Sequence, residues 1–594
     1  MVLLKKPIQS LIGVIVLIML AMGLYSGINN TYMLIGQSYN YFFGPLGDQL
    51  YDAARIVYPI FEGHASWRHL LDPFAEHRVL MERLLMLYDM TFHHGMEIMH
   101  PYRLVITFWL ACLLFIVNVV LVNHKMALHE KMILSSCALG LFLANLSFCN
   151  FMSAILFTWP LIVLFSLSCF ICLAAYADSV RNSKTSHRIL FLMLTTLFAY
   201  LAIFSFNIGL IVWPIVYLVL YKQGVLRKHV WVWLLLAGLS YYIYFNHGWH
   251  PGTFRSDHGL ERALLHPIRP FLYFSRIVSV PFIENASHAA SISTILMGIA
   301  LLSTGIYFLS RFWLLAKWSY SDSILFSFLL FSLCGLTAIT LMRAWVDAEY
   351  LGIGSRFLYI SFMAWLSILT SYFRFFGYKQ KAVSPACVLL TTVLVGYLFF
   401  YFIRHDTGSF PVGEVSNPYF IALSTDIPIN QSFVNYARIF NNDDDINHHQ
   451  YANAVQKHYK MGVYALWPSQ WINKQWTTHG ARCNAEVTHH ITADLRKTGN
   501  PALFIESDVK AQQKTIAHSY ILYLDPNDVV VGYALPFRQN VRLLPHTSPT
   551  QTKWLGAINS SLTPYSFIQA EWVNTASQQV CELGRMTINA IAAL

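Results

Sequence analysis

The sequence predicts a polytopic membrane protein, all-α within the bilayer, that ends in a soluble mixed α/β domain. Three observations carry that expectation. Of 594 residues, 56% are hydrophobic and only 12% charged, whereas soluble domains carry about 25% charged residues. Up to about residue 403 the apolar residues come in blocks of membrane-crossing length. Beyond it the chain is polar and broken by Pro, Asn and Asp. The expected domains are therefore a transmembrane domain, 1–403, and a soluble domain, 404–594.

The apolar blocks centre on 11–27, 104–122, 132–148, 154–176, 189–206, 208–221, 230–246, 291–310, 323–342, 357–372 and 384–403, about 11 transmembrane helices. The pair flanking Asn207 is short, so ten is the alternative count. Lys5, Lys6 and the run Leu11 to Leu24 resemble a signal peptide. The run is long for one and no A-x-A site follows, so a retained first helix is expected.

Orientation follows from Lys and Arg in short loops. Lys5/Lys6, Lys125/Lys131, Arg181/Lys184/Arg188, Lys222/Arg227/Lys228, Arg311/Lys317 and Arg374/Lys379/Lys381 fall on one side. The short connections near Asn145–Ser153 and at Asn207 carry no Lys or Arg. The first set is therefore expected in the cytoplasm, with the N-terminus. An odd helix count puts 28–103, 247–290, 343–356 and the C-terminal domain outside. The protein would then be a multi-pass protein of the bacterial inner membrane with a periplasmic or extracellular C-terminal domain. The net charge of +10 does not indicate nucleic acid, because the Lys residues flank apolar blocks and form no basic run interleaved with aromatics.

In the C-terminal domain, Tyr451 to Leu466 suits a helix. Tyr520–Leu524, the turn Asp525-Pro526-Asn527-Asp528 and Val529–Leu535 read as a hairpin, with Tyr565–Trp572 as a further strand. Cys112, Cys137, Cys149, Cys169, Cys172, Cys334 and Cys387 lie in apolar segments, where cysteine behaves as a small hydrophobe. Cys483 and Cys581 alone fall in the soluble domain, and in an oxidising compartment they are expected to pair.

The first outer loop holds the densest polar cluster: Asp48, Asp52, Glu62, Asp72, Glu76, His77, Arg78, Glu82, Arg83 and Asp89. Asp72-Pro73 reads as a helix start, which would put Glu76 and Arg83 on one face with Val79 and Leu80 between them. A sugar carried on a polyprenyl phosphate presents an anion at this level. Arg grips phosphate in a bidentate fork, and transfer to a hydroxyl needs a carboxylate to take its proton. Asp48 and Glu76 are the candidate bases. The competing reading is that these charges cap helices and pair with each other.

A second cluster, Arg343, Asp347 and Glu349, then Gly352, Gly354, Ser355 and Arg356, joins two membrane helices on the outer side. Outer arginines run against the positive-inside bias, so Arg343 and Arg356 are candidates for anion binding. Otherwise they pair with Asp347 and Glu349. A third, His247, His250, Asp257, His258, Glu261, Arg262, His266, Arg269 and Arg276, has ligand-type residues at no defensible metal spacing. An interfacial or lipid-binding segment competes there. Asp443-Asp444-Asp445 with His448-His449 lacks calcium-loop spacing and reads as a solvated loop. The sequence has no phosphate-binding Gly-Lys loop, paired CxxC motif or nucleophile elbow. No cofactor is certain; a divalent metal stays open.

Asp48-Gln49-Leu50, Ala75-Glu76-His77-Arg78, Arg343 and Ser355-Arg356-Phe357 resemble three motifs of bacterial membrane proteins related to the GT-C class of glycosyltransferases. The pattern in those proteins is Asp-Gln-Trp, Asn-Glu-His-Arg, and an Arg followed by Ser-Arg-Tyr, so Leu50, Ala75 and Phe357 depart from it. The resemblance implies a GT-C-like bundle and a polyprenyl-phosphate-linked sugar donor. It makes Asp48 or Glu76 the base, and Arg78, Arg343 and Arg356 a phosphate clamp. His77 and Arg83 complete the expected substrate-binding set. The acceptor would be an envelope glycan or lipid beside membrane lipid. The alternatives are a transporter or flippase of an envelope precursor, and a non-enzymatic scaffold with a binding domain.

Overall fold

The computed structural model describes residues 52–73, 78–95, 99–148, 158–181, 185–246, 259–279, 291–344, 358–376, 421–429 and, with short gaps, 443–588, together with scattered helical positions between 14 and 35. Helices make up the N-terminal part, and a seven-stranded antiparallel sheet forms the C-terminal domain.

About eleven crossings were expected. Among the described residues, four helices have the length and apolarity of a full crossing: His100–Leu121, Thr158–Arg181, Ile292–Leu314 and Tyr320–Arg343. The reasons for the shortfall are local. His187–Ile203 and Asn207–Lys222 are apolar but short. At 1.5 Å per residue, 17 residues span roughly 26 Å, less than a hydrocarbon core of about 30 Å. The break between them comes from Phe206, whose extended backbone (φ −162°, ψ 150°) stops the helix before a 3-10 turn at Asn207–Ile211. Leu226–Asn246 is kinked at His229. The expected 384–403 helix lies outside the described residues.

Thr158–Arg181 and Tyr320–Arg343 are central, with 83% and 72% of their apolar windows buried; Ile292–Leu314 is peripheral at 28%, so most of its apolar side chains lie on the outside of the bundle. At one end of the bundle, Asp322 and Arg374 form a buried bidentate pair (2.6 and 3.0 Å). Arg343 marks the other end of the same 24-residue helix, Tyr320–Arg343.

That other end gathers the segments expected on the outer side. The Leu80 amide donates to the Phe204 carbonyl (3.1 Å), Arg78 donates to the Tyr244 carbonyl, and Arg269 donates to the Ala344 carbonyl (2.9 Å). The first loop, the Asn207 break and the Arg343 terminus thus sit together, as chain direction alone requires of segments on one side.

In the C-terminal domain the strands are β1 Ala485–Asp494, β2 Ala502–Ala511, β3 Ser519–Leu524, β4 Val530–Arg538, β5 Thr552–Asn559, β6 Phe567–Asn574 and β7 Gln579–Thr587. Their order is β1-β2-β5-β4-β3-β6-β7, curved into a half-barrel. Alternate side chains build two cores. Ala502, Phe504, Leu522 and Leu524 serve one; Leu503, Ile505, Ile521 and Tyr523 serve the other. The β3–β4 hairpin turns at Asp525, whose carboxylate accepts from the Asn527 and Val529 amides. Cys483, just before β1, is disulfide-bonded to Cys581 on β7, so the bond ties the two edges of the sheet.

The helix expected over Tyr451–Leu466 instead runs from Asp443 to His458. Lys460 and Gly462 adopt positive φ, and two 3-10 turns follow. This helix docks on the first outer loop. Tyr451 donates to Glu62 (2.6 Å), Gln456 to the Tyr58 hydroxyl (2.8 Å), and the Gly462 amide to the His94 carbonyl (2.7 Å). Ala452, Val455 and Met461 share a hydrophobic cluster with Ala53, Val57, Met86 and Met90.

Candidate functional site

The floor of the site is a buried ion pair. Asp52 precedes a π-helical turn, Ala53–Val57, that runs directly into the short helix Tyr58–Phe61. Its carboxylate takes both arms of the Arg83 fork, Nε at 2.8 Å and Nη2 at 2.6 Å. Arg83 is 0% exposed. Its Nη1 also donates to the carbonyls of Leu70 (2.7 Å), Asp72 (2.5 Å) and His69 (3.4 Å).

This arrangement corrects the expected helix start. The Asp72 carbonyl is turned to Arg83 Nη1. Asp72 is extended (ψ 147°) and ends a 3-10 turn, Trp67–Leu71. Its carboxylate binds His69 Nδ1 (2.8 Å) rather than capping. The helix begins only at Leu80 and runs to Phe92. Arg78 and Val79 precede it, so no continuous helix runs from Asp72 to Arg83; Glu76 lies outside the described residues.

Arg78 is also buried, at 1% exposure. Its Nε and Nη2 donate to the Tyr244 carbonyl (3.1 and 2.6 Å), and Nη1 donates to Leu71 O. Among the described residues it has no carboxylate partner. Burial lowers its pKa from the ordinary arginine value, with Tyr244 and Asp72 acting in the opposite direction.

Glu82 is the group that sequence reading passed over. It is 0% exposed, and among the described residues neither carboxyl oxygen has a side-chain hydrogen-bond partner. Burial pushes its pKa well above the ordinary carboxylate range; the Asp52 charge adds to the rise and Arg83 opposes it. An unpaired ionised carboxylate would cost several kcal/mol in such a place, so the neutral acid is the stable form. The signal was in the sequence: Glu82-Arg83 interrupts an apolar run, Leu80-Met81 and Leu84-Leu85-Met86-Leu87.

Beside this loop, a cavity of about 250 Å³ opens at the Asn207 break. Its wall is almost wholly apolar, with Trp159, Phe206, Ile211, Ile339 and Met342 prominent. Among the described residues that line it, Arg343 is the one ionisable side chain. The Trp159 and Phe206 rings pack 4.3 Å apart. Phe204, which accepts from Leu80, lies two residues from Phe206, so acid cluster and cavity are neighbours.

Of the expected site residues, Arg78, Arg83 and Arg343 are described and gather at this end of the bundle. Asp48, Glu76, His77 and Arg356 lie outside the described residues, as do Asp347 and Glu349. Arg83 is committed to Asp52 and the loop carbonyls. Among the described residues no three His, Cys, Asp or Glu side chains converge as a metal site. Compared with family models, characterised proteins and solved structures, the chain gives no match.

Proposed function

We propose that this chain is a membrane glycosyltransferase that moves a sugar from a polyprenyl-phosphate donor to an envelope glycan or lipid at the outer face of the inner membrane. The observation that carries this reading is the apolar cavity with Arg343 as the one ionisable side chain among its described lining residues. An amphiphile with a hydrocarbon tail and an anionic head matches that chemistry. Each buried methylene contributes about 0.8 kcal/mol, and a guanidinium supplies a forked, charge-assisted grip on phosphate.

In the proposed reaction the acceptor hydroxyl attacks the anomeric carbon. The bond from that carbon to the phosphate oxygen breaks, and polyprenyl phosphate leaves as an anion. Asp48 or Glu76 takes the hydroxyl proton. Arg343, with Arg78 and Arg356, balances the charge that develops on the phosphate. Arg83 and Asp52 hold the floor of the loop. The finer architecture, a GT-C-like bundle of about eleven crossings with a cytoplasmic N-terminus and a periplasmic C-terminal domain, belongs to the same proposal. The Cys483–Cys581 disulfide supports an oxidising compartment for that domain.

Mass spectrometry of envelope glycans from cells with and without the protein tests it. A sugar-sized mass is expected to disappear without the protein, and to stay absent with Asp48→Asn, Glu76→Gln, Arg343→Ala or Arg356→Ala at normal protein levels. Unchanged profiles in all four variants would overturn the site assignment. Movement of labelled precursor without turnover would identify a flippase instead.

A further inference from the structure

The C-terminal domain carries a second group of side chains, away from the ion-pair loop. Glu571 on β6 is 0% exposed, and both its oxygens are held: Oε2 accepts from Trp476 Nε1 (2.8 Å), Oε1 from His479 Nδ1 (2.7 Å). With Nδ1 turned inward, the other ring nitrogen of His479 lies 3.6 Å from an Asp528 oxygen. Both of those side chains are 41% exposed. On the far side of Trp476 stand Trp467 and Trp471, with ring centroids 6.0 and 5.0 Å from it, and Tyr520 lies 5.7 Å from Trp467 at a tilt of only 30°. Trp467, Trp471 and Tyr520 are all partly exposed.

The placement is fixed by backbone bonds. Trp467 and Trp471 bracket one 3-10 turn. The following segment is stitched to the β3–β4 hairpin through Trp476 N to Asp528 O (2.7 Å), Asn473 N to Val530 O (3.0 Å) and Val530 N to Lys474 O (3.0 Å). Indole and phenol rings offer electron-rich faces. Beside them stand a carboxylate and an imidazole that accept from and donate to hydroxyls. A pyranose has the complementary pattern: a C–H face with partial positive charge, and hydroxyls around its edge.

We propose that Trp467, Trp471 and Tyr520, with His479 and Asp528 at one end, form a binding site for a neutral saccharide chain. The local charge selects among glycans. The hydrogen bond to Glu571, with the Glu571, Asp528 and Glu582 charges, raises the His479 pKa, and the exposed carboxylate of Asp528 at the end of the site disfavours uronic acids and other anionic sugars. The site would hold a glycan chain whatever donor chemistry operates in the membrane domain, and its test is independent of turnover.

Tryptophan fluorescence of the full-length protein in detergent is titrated with maltohexaose, cellohexaose, chitohexaose and hexagalacturonate. At least one neutral oligosaccharide is expected to bind with Kd below about 5 mM, and the galacturonate more weakly. Trp467→Ala and Asp528→Asn are each expected to weaken that binding tenfold or more, or about 1.4 kcal/mol. Asn suits the positive φ of residue 528 (60°), so the second variant keeps the test valid if the first does not fold. Trp67→Ala, on an exposed indole of the first loop, leaves binding unchanged. No binding by any neutral oligosaccharide, tightest binding by the galacturonate, or unchanged affinity in Asp528→Asn would overturn the proposal.

Discussion

At the scale of single residues, the outer loop is organised by Arg83 and burdened by Glu82. Arg83 satisfies Asp52 and three backbone carbonyls at once. A lysine keeps the charge but not the fork. Arg83→Lys leaves buried carbonyls of Leu70 and Asp72 short of donors, at about 1–3 kcal/mol for each orphaned acceptor. Chemical unfolding in detergent should show at least that loss; a loss under about 0.5 kcal/mol would contradict the loop's dependence on the fork. Glu82 acts in the opposite sense. Its folded pKa is raised by burial. Its neutral form carries no penalty below the unfolded value of about 4.3, and stability is lost as pH climbs through the folded value. Glu82→Gln removes that loss. In chemical unfolding at pH 7 the variant should be more stable than the parent by about 1 kcal/mol or more, roughly what one unit of pKa displacement is worth. The gain should vanish near pH 4. A variant less stable at both pH values would mean that Glu82 is ionised and paired.

At the scale of elements, the sequence located strands better than helix ends. The β3–β4 hairpin lies where Asp525-Pro526-Asn527-Asp528 put it, because a turn's chemistry is local: one carboxylate and its next amides. The continuous helix expected from Asp72-Pro73 through Arg83 is interrupted at Arg78 and Val79, and its described part starts at Leu80. Remote partners act there: Arg83, eleven residues on, binds the Asp72 carbonyl, and the Tyr244 carbonyl takes Arg78. The disulfide belongs to this scale as well. It closes a loop with a sequence separation of 98 and joins the lead into β1 to β7. On a chain-entropy basis such a loop is worth about 4–5 kcal/mol. Cys483→Ser/Cys581→Ser should lower the unfolding free energy of the C-terminal domain by several kcal/mol, and reductant should reproduce the change in the parent. If reductant leaves the unfolding midpoint where it was, the bond is not stabilising the edges.

At the scale of the whole molecule, one end of the bundle holds the ion-pair loop, the Arg343 cavity and the docked C-terminal helix, while the Asp322–Arg374 pair marks the other. Sidedness can be measured. In a background lacking the free cysteines, a membrane-impermeant maleimide should label Ser577→Cys, in the exposed β6–β7 turn, in spheroplasts. Lys317→Cys should be labelled only after lysis. The reverse pattern would invert the topology and move the proposed chemistry to the cytoplasmic face. What the sequence by itself determined is what depends on local composition and on charge beside apolar blocks: an apolar helical part with helices long enough to cross a membrane, a polar end with strands, and the segments where polar residues concentrate. Tertiary structure alone decided which of those residues are used up. Arg83 is spent on Asp52, Glu82 is left as a buried acid, and Arg343 stands at an apolar cavity, because burial and pairing depend on residues brought together from distant parts of the chain.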